Sequence, residues 1–62
     1  MKEKLIRLPA VMEMTGLKKS AIYDFIKQGT FPSNIPIGIK ARAWRESEIQ
    51  TWIQDRIQEA VA

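Results

Sequence analysis

One stretch, TGLKKSAIYDFIKQGTFP from Thr15 to Pro32, constrains the fold of this chain more than any other. It opens on Thr15-Gly16-Leu17, where glycine tolerates the positive φ of a tight turn between helices. A second helix is expected over Lys18–Gln28. Ala21, Ile22, Phe25 and Ile26 fall on one side at a period of 3.6, while Lys19, Ser20, Tyr23, Asp24 and Lys27 fall on the other side. Lys18 sits at the helix start as a cap or first-turn residue pointing outward. Gly29 supplies a C-terminal stop, and Pro32 prevents the helix from resuming. This is the pattern of a helix-turn-helix whose second helix has one face free.

Sixty-two residues make one domain, here taken as 1–62. A chain of this size buries only about 60% of its unfolded surface. Cysteine and histidine are both absent. That removes disulfide staples, the usual zinc ligands and the commonest general base. Packing must therefore hold the core, and a hydrophobic content of 45% suffices for it. Ser20, Ser33 and Ser47 have no base to activate them, and no glycine-rich phosphate loop is present, so no enzyme, metal or cofactor is expected. No apolar run approaches the ~20 residues of a membrane span. The charged start MKEKLIRLPAV has no apolar core of a signal peptide, so a cytoplasmic protein is expected.

The flanks complete the architecture. Met1–Lys4 reads as a loose end and Leu5–Arg7 as a short extended piece. A first helix begins near Pro9 and runs through Ala10–Met14, with Leu8, Val11 and Met12 as its buried stripe. Ile35, Ile37 and Ile39 alternate at period 2, which predicts a strand with one buried face. A turn near Gly38 and Lys40 returns the chain through Ala41–Arg45. The resulting two-stranded hairpin must pack on the helices. A last helix is expected over Glu46–Ala60, with Ile49, Trp52, Ile53, Ile57 and Ala60 inward. Glu46 and Glu48 oppose the dipole at its start, and Arg56 snorkels from the apolar side. Trp52 is assigned to the core, and Trp44 to packing against Phe31 or the last helix. The fold class is mainly α with a small β-hairpin, a winged helix-turn-helix.

Charge is distributed unevenly. Residues 18–45 carry six cations against Asp24, a net +5, whereas residues 46–62 carry Arg56 against four carboxylates, a net −3. A basic middle and an acidic tail suggest one cationic face, as expected of a nucleic-acid binder. A recognition helix presents its exposed residues to base edges. Lys18, Lys19, Ser20, Tyr23 and Lys27 are placed for that role. Lys40 and Arg42 at the hairpin tip, with Arg45 at its exit, form a basic wing able to reach a phosphate or a minor groove. A protein-interaction module on the same scaffold remains the rival reading, since Asp24 and the acidic last helix suit it.

The ordered motifs RLP, TGL, S-x-IY, I-x-x-G-x-FP, G-x-x-A-x-x-W and ESEI-x-x-WI span Arg7 to about Ile53. In these the chain resembles the AlpA family of phage and prophage regulators, small winged helix-turn-helix proteins related to MerR-like domains and excisionases. The resemblance implies a sequence-specific regulator of a prophage or integrated element. Such a protein raises integrase expression or directs recombination, with double-stranded DNA as partner and an integrase or further copies of itself beside it. The chain departs from the family at four positions. Lys18 stands where a serine is usual, and Asp24 where a cation commonly follows the tyrosine. Lys40 replaces arginine, and Arg42 an apolar residue.

Overall fold

The computed structural model describes residues 3–61. Strand β1 (Leu5–Ile6) leads into helices α1 (Leu8–Thr15) and α2 (Lys19–Gln28). Strands β2 (Ile35–Pro36) and β3 (Arg42–Arg45) follow, and helix α3 (Glu46–Val61) ends the described chain. Met1 and Lys2 of the expected loose end lie outside the described residues.

Helix α1 begins behind an extended Arg7 (φ −92°, ψ 171°), with Pro9 in the first turn, where a missing N–H is harmless. It ends on Gly16 at φ 73°, whose N–H donates to the Met12 carbonyl at 2.8 Å. The Thr15 hydroxyl ties off the turn. It donates to the Val11 carbonyl at 2.8 Å and accepts from the Leu17 N–H at 3.2 Å. Thr15 thus braces the turn with its hydroxyl, Gly16 supplies the left-handed backbone, and Leu17 packs its side chain against the core.

Helix α2 starts at Lys19, with Lys18 extended before it (φ −88°, ψ 163°) and no side-chain cap. It stops on Gly29 at φ 80°, where the Gly29 N–H donates to Ile26 and the Thr30 N–H to Phe25. The two helices are joined by only Gly16, Leu17 and Lys18, so their relative placement follows from that turn.

The sheet has three strands in the order β1-β3-β2, all antiparallel. This corrects the two-stranded expectation. Leu5 pairs with Arg45 and Ile6 with Trp44, so the short N-terminal piece becomes the second edge of the hairpin. The alternating strand Ile35–Ile39 is corrected too. Pairing ends at Pro36, and the Ile37 N–H closes the loop onto the Ala41 carbonyl at 2.9 Å. Ile39 therefore sits in the turn, wholly exposed, and Ile37 is 45% exposed. The central strand is covered on both faces instead, since its adjacent residues Ala43 and Trp44 point to opposite sides and are both fully buried.

Ile6, Val11, Ile22, Phe31, Trp44 and Ile49 form the core, drawing on every helix. Trp44 lies in it with Phe31 and Ile49, as expected. Its indole Nε1–H donates to the Pro32 carbonyl at 3.1 Å, which satisfies the polar edge of a buried ring. Trp52 packs against this core rather than within it. Its ring meets Phe31 edge-on at 4.9 Å, and its Nε1–H donates to the Thr30 carbonyl at 2.7 Å. The expected inward stripe of α3 fails at its end. Ile57 is 49% exposed, and Ala60 is exposed as well, because the helix outruns the body it packs on. Arg56 snorkels as expected, lying over the Trp52 ring at 5.0 Å and pairing with Glu59 at 3.0 Å.

Candidate nucleic-acid interface

Helical spacing of four residues puts Lys19, Tyr23 and Lys27 in one row on α2, with Ser20 beside them, and all four are exposed. Ile22, fully buried on the flank of this row, fixes which side of the helix turns inward. Tyr23 is the best-held member of the row. Its ring meets Trp44 edge-on, with centroids 6.4 Å apart and planes at 63°. The tyrosine is 38% exposed, so one edge of its ring serves packing while the rest stays accessible.

Lys18 precedes the helix and joins Lys19, Ser20 and Tyr23 around a shallow open groove of about 740 Å³. Met12 of α1 forms its remaining wall. Helical periodicity assigns Met12 only to the buried stripe of α1, but its half-buried side chain serves both core and groove. Asp24 is exposed on the same helix but is not among the groove residues.

The wing, β2 and β3 with the loop 37–41 between them, carries Lys40 in the loop and Arg42 at the start of β3. Both are exposed, and both lie on the same cleft as Tyr23. The wing cations thus meet α2 at Tyr23, the middle member of its exposed row. Arg7, outside the expected set, lines that cleft as well. Only the tertiary fold brings it there, although it stands in the RLP motif.

Arg45 is not brought to this cluster. Side chains alternate along a strand, so Arg42 and Trp44 share one face of β3 and Arg45 takes the other. Arg45 lies instead near Glu3, whose carboxyl is held below its ordinary value. The main cause there is the hydrogen bond from the Ser47 hydroxyl, and Arg45 adds a smaller electrostatic contribution. Among the described residues, no helix is long and apolar enough to cross a membrane.

The surface thus presents a lysine row on a helix stiffened by its buried side, with a basic wing next to it. Comparison with known proteins gives the family of the chain. A family model described as prophage CP4-57 regulatory protein (AlpA) matches residues 4–57. The chain is 42% identical to the uncharacterized protein ORF88 of Enterobacteria phage P4, an overlap of 89% of this chain and 62% of that protein. It is 36% identical to the DNA-binding transcriptional activator AlpA of Escherichia coli K12, over 86% of this chain and 84% of that protein.

Proposed function

The chain belongs to the AlpA family of prophage regulatory proteins, and from that premise we propose that it is a sequence-specific DNA-binding transcriptional regulator of a prophage or integrated element. The observation that carries this reading is the exposed row Lys19–Tyr23–Lys27 on α2, whose Tyr23 shares a cleft with Lys40 and Arg42 of the wing. Helix α2 enters the major groove, where lysine reaches guanine O6 or N7 and Ser20 contacts base edges. The wing follows the backbone toward the minor groove. Lys18 completes the N-terminal end of the contact surface. Arg45, on the far face of β3, adds charge without contact. The role carried in the name of the Escherichia coli relative, a DNA-binding transcriptional activator, supports the same reading.

The regulated step is integrase expression or excision at the attachment site. One module reads a short site, so several copies on repeated sites, or a neighbouring integrase, supply the remaining affinity. The exposed apolar end of α3, with Ile57 and Val61, favours such a protein contact on the side chains that DNA leaves free.

Footprinting on the element's attachment site and on its integrase promoter tests the proposal. Protection of one of these over random duplex is expected, and the protected region distinguishes excision factor from promoter regulator. Alanine at Lys19 and Lys27 should weaken that protection. Equal affinity for element DNA and random DNA would instead favour a protein-interaction module.

A further inference from the structure

The cleft between α1, α2 and the wing holds three cations that the chain contributes from separate segments. Arg7 comes from the junction of β1 and α1, Lys40 from the wing loop and Arg42 from β3. Tyr23 reaches it from α2, and Trp44 and Pro9 give it an apolar lining. Among the described residues, no carboxylate lines it, and none of the three cations is in a salt bridge. Like charges gathered in one concave place repel each other, and they have no internal counter-charge here.

We infer that this cleft binds a phosphodiester of the DNA backbone, with Arg7 as the cation that completes the site. The inference rests on the DNA-binding reading above and extends it to a residue outside the helix and the wing. The position supports it. With α2 in the major groove and the wing directed to the minor groove, the strand separating the two grooves must cross between them. The cleft lies in that gap, bordered by Tyr23 on one side and by Lys40 and Arg42 on the other.

Size and field agree with this occupant. The cleft measures about 180 Å³. That admits a phosphate group with a few waters, each of which takes about 30 Å³ in the liquid. A cleft lined by one sign of charge over low-dielectric walls focuses the field at its mouth, and Trp44 and Pro9 provide such walls. The guanidinium of Arg7 can grip two phosphate oxygens at once, which an ammonium does less well. Because phosphate is common to every sequence, this contact sets register and affinity but not base preference.

The test is a salt titration of binding by the whole protein, with Arg7→Gln and Arg7→Lys beside the wild type. It uses an element duplex and a random duplex of equal length. Arg7→Gln should weaken both complexes by a similar factor, roughly tenfold at moderate salt. Its log–log salt slope should become shallower by about 0.9, the value of one phosphate contact. Arg7→Lys should recover the slope and part of the affinity. A neutral methylphosphonate placed at successive backbone positions should reveal one position that weakens wild type but costs Arg7→Gln nothing further. An unchanged slope and affinity in Arg7→Gln, with wild type still preferring the element duplex, overturns the cleft alone. Failure of wild type to bind either duplex overturns the cleft and the DNA-binding reading together.

Discussion

Tyr23 of the exposed row and Trp44 of the core meet edge-to-face, at 6.4 Å and 63°, so the most accessible aromatic of α2 rests directly on the most buried one of the chain. The contact couples the outward face of α2 to the central strand. It also separates two roles of one side chain, the ring that packs on the core and the hydroxyl proposed to reach DNA. Tyr23→Phe should therefore leave urea stability within about 0.5 kcal/mol of wild type, as for other surface changes. DNA affinity should fall several-fold through the loss of one hydrogen bond worth about 1 kcal/mol. Tyr23→Ala should in addition lose the aromatic pair, about 0.5–1.5 kcal/mol beyond area burial. Equal stability of the Phe and Ala variants would show that the ring contact contributes nothing.

Lys18 occupies the position that caps α2, and its side chain accepts no hydrogen bond. The first N–H groups of the helix are consequently left to solvent, and the ammonium stands at the positive end of the dipole. Lys18→Ser should stabilise the fold by about 1 kcal/mol, the usual worth of an N-cap. If Lys18 contacts a phosphate, the same change should flatten the salt slope of DNA binding by about 0.9. Thermal melting and a salt titration measure the two effects independently. A variant no more stable than wild type would mean that the serine cannot reach the open N–H groups.

The helix-turn-helix is legible in the sequence because both of its determinants are local. A 3.6-residue period gives each face, and Gly16 and Gly29 terminate the helices where a left-handed residue is needed. The wing is less legible. Ile35, Ile37 and Ile39 have the period of a half-buried strand, but the chain leaves the ladder after Pro36 and takes both Ile37 and Ile39 out of it. Period alone does not locate a turn. Strand β1 is visible only as an extended piece, since its partners Trp44 and Arg45 stand about forty residues away and two residues carry little pattern. Arg7 escapes a reading of the sequence for the same reason. Its meaning depends on the wing coming round to meet it.

Glu3 and Ser47 pin that N-terminal edge to α3. The Ser47 hydroxyl donates to Glu3 Oε1 at 2.8 Å, and the Ser47 N–H to Oε2 at 3.4 Å. The Glu46 N–H donates to the Lys4 carbonyl alongside, at 2.9 Å. Glu3 thus serves as a remote cap for the start of α3. Its carboxyl is held below the ordinary value, chiefly by the serine hydroxyl. A carboxyl lowered in the folded state favours folding when ionised, so the contribution is present above the ordinary carboxyl value of the unfolded chain and disappears as pH falls through the lower folded value. Melting temperatures of wild type and Glu3→Gln should differ at neutral pH and converge in acid. A gap that stays constant across that range would show that the charge of Glu3 plays no part.

The turn that orients α2 can be tested at Gly16 against a control within the same chain. Gly16 sits at φ +73°, and a Cβ added there would meet nothing within 4 Å. Any penalty for Gly16→Ala must therefore be conformational rather than steric. The left-handed region disfavours an L side chain by about 1–2 kcal/mol, partly offset by the lower entropy of the unfolded chain. Gly38, in the wing loop, has no positive φ, and its added Cβ would lie 3.5 Å from the Ala41 Cβ, an ordinary contact. Gly38→Ala should leave stability within about 0.5 kcal/mol of wild type, while Gly16→Ala should lower it by about 1 kcal/mol. Because the Gly16 N–H bond to Met12 closes α1, a backbone that relaxes there would also tilt α2 against the wing. Gly16→Ala is accordingly expected to lose DNA affinity beyond its loss of stability, measured well below its melting temperature, whereas Gly38→Ala keeps both. Equal behaviour of the two variants would mean that the left-handed turn is not what positions the lysine row.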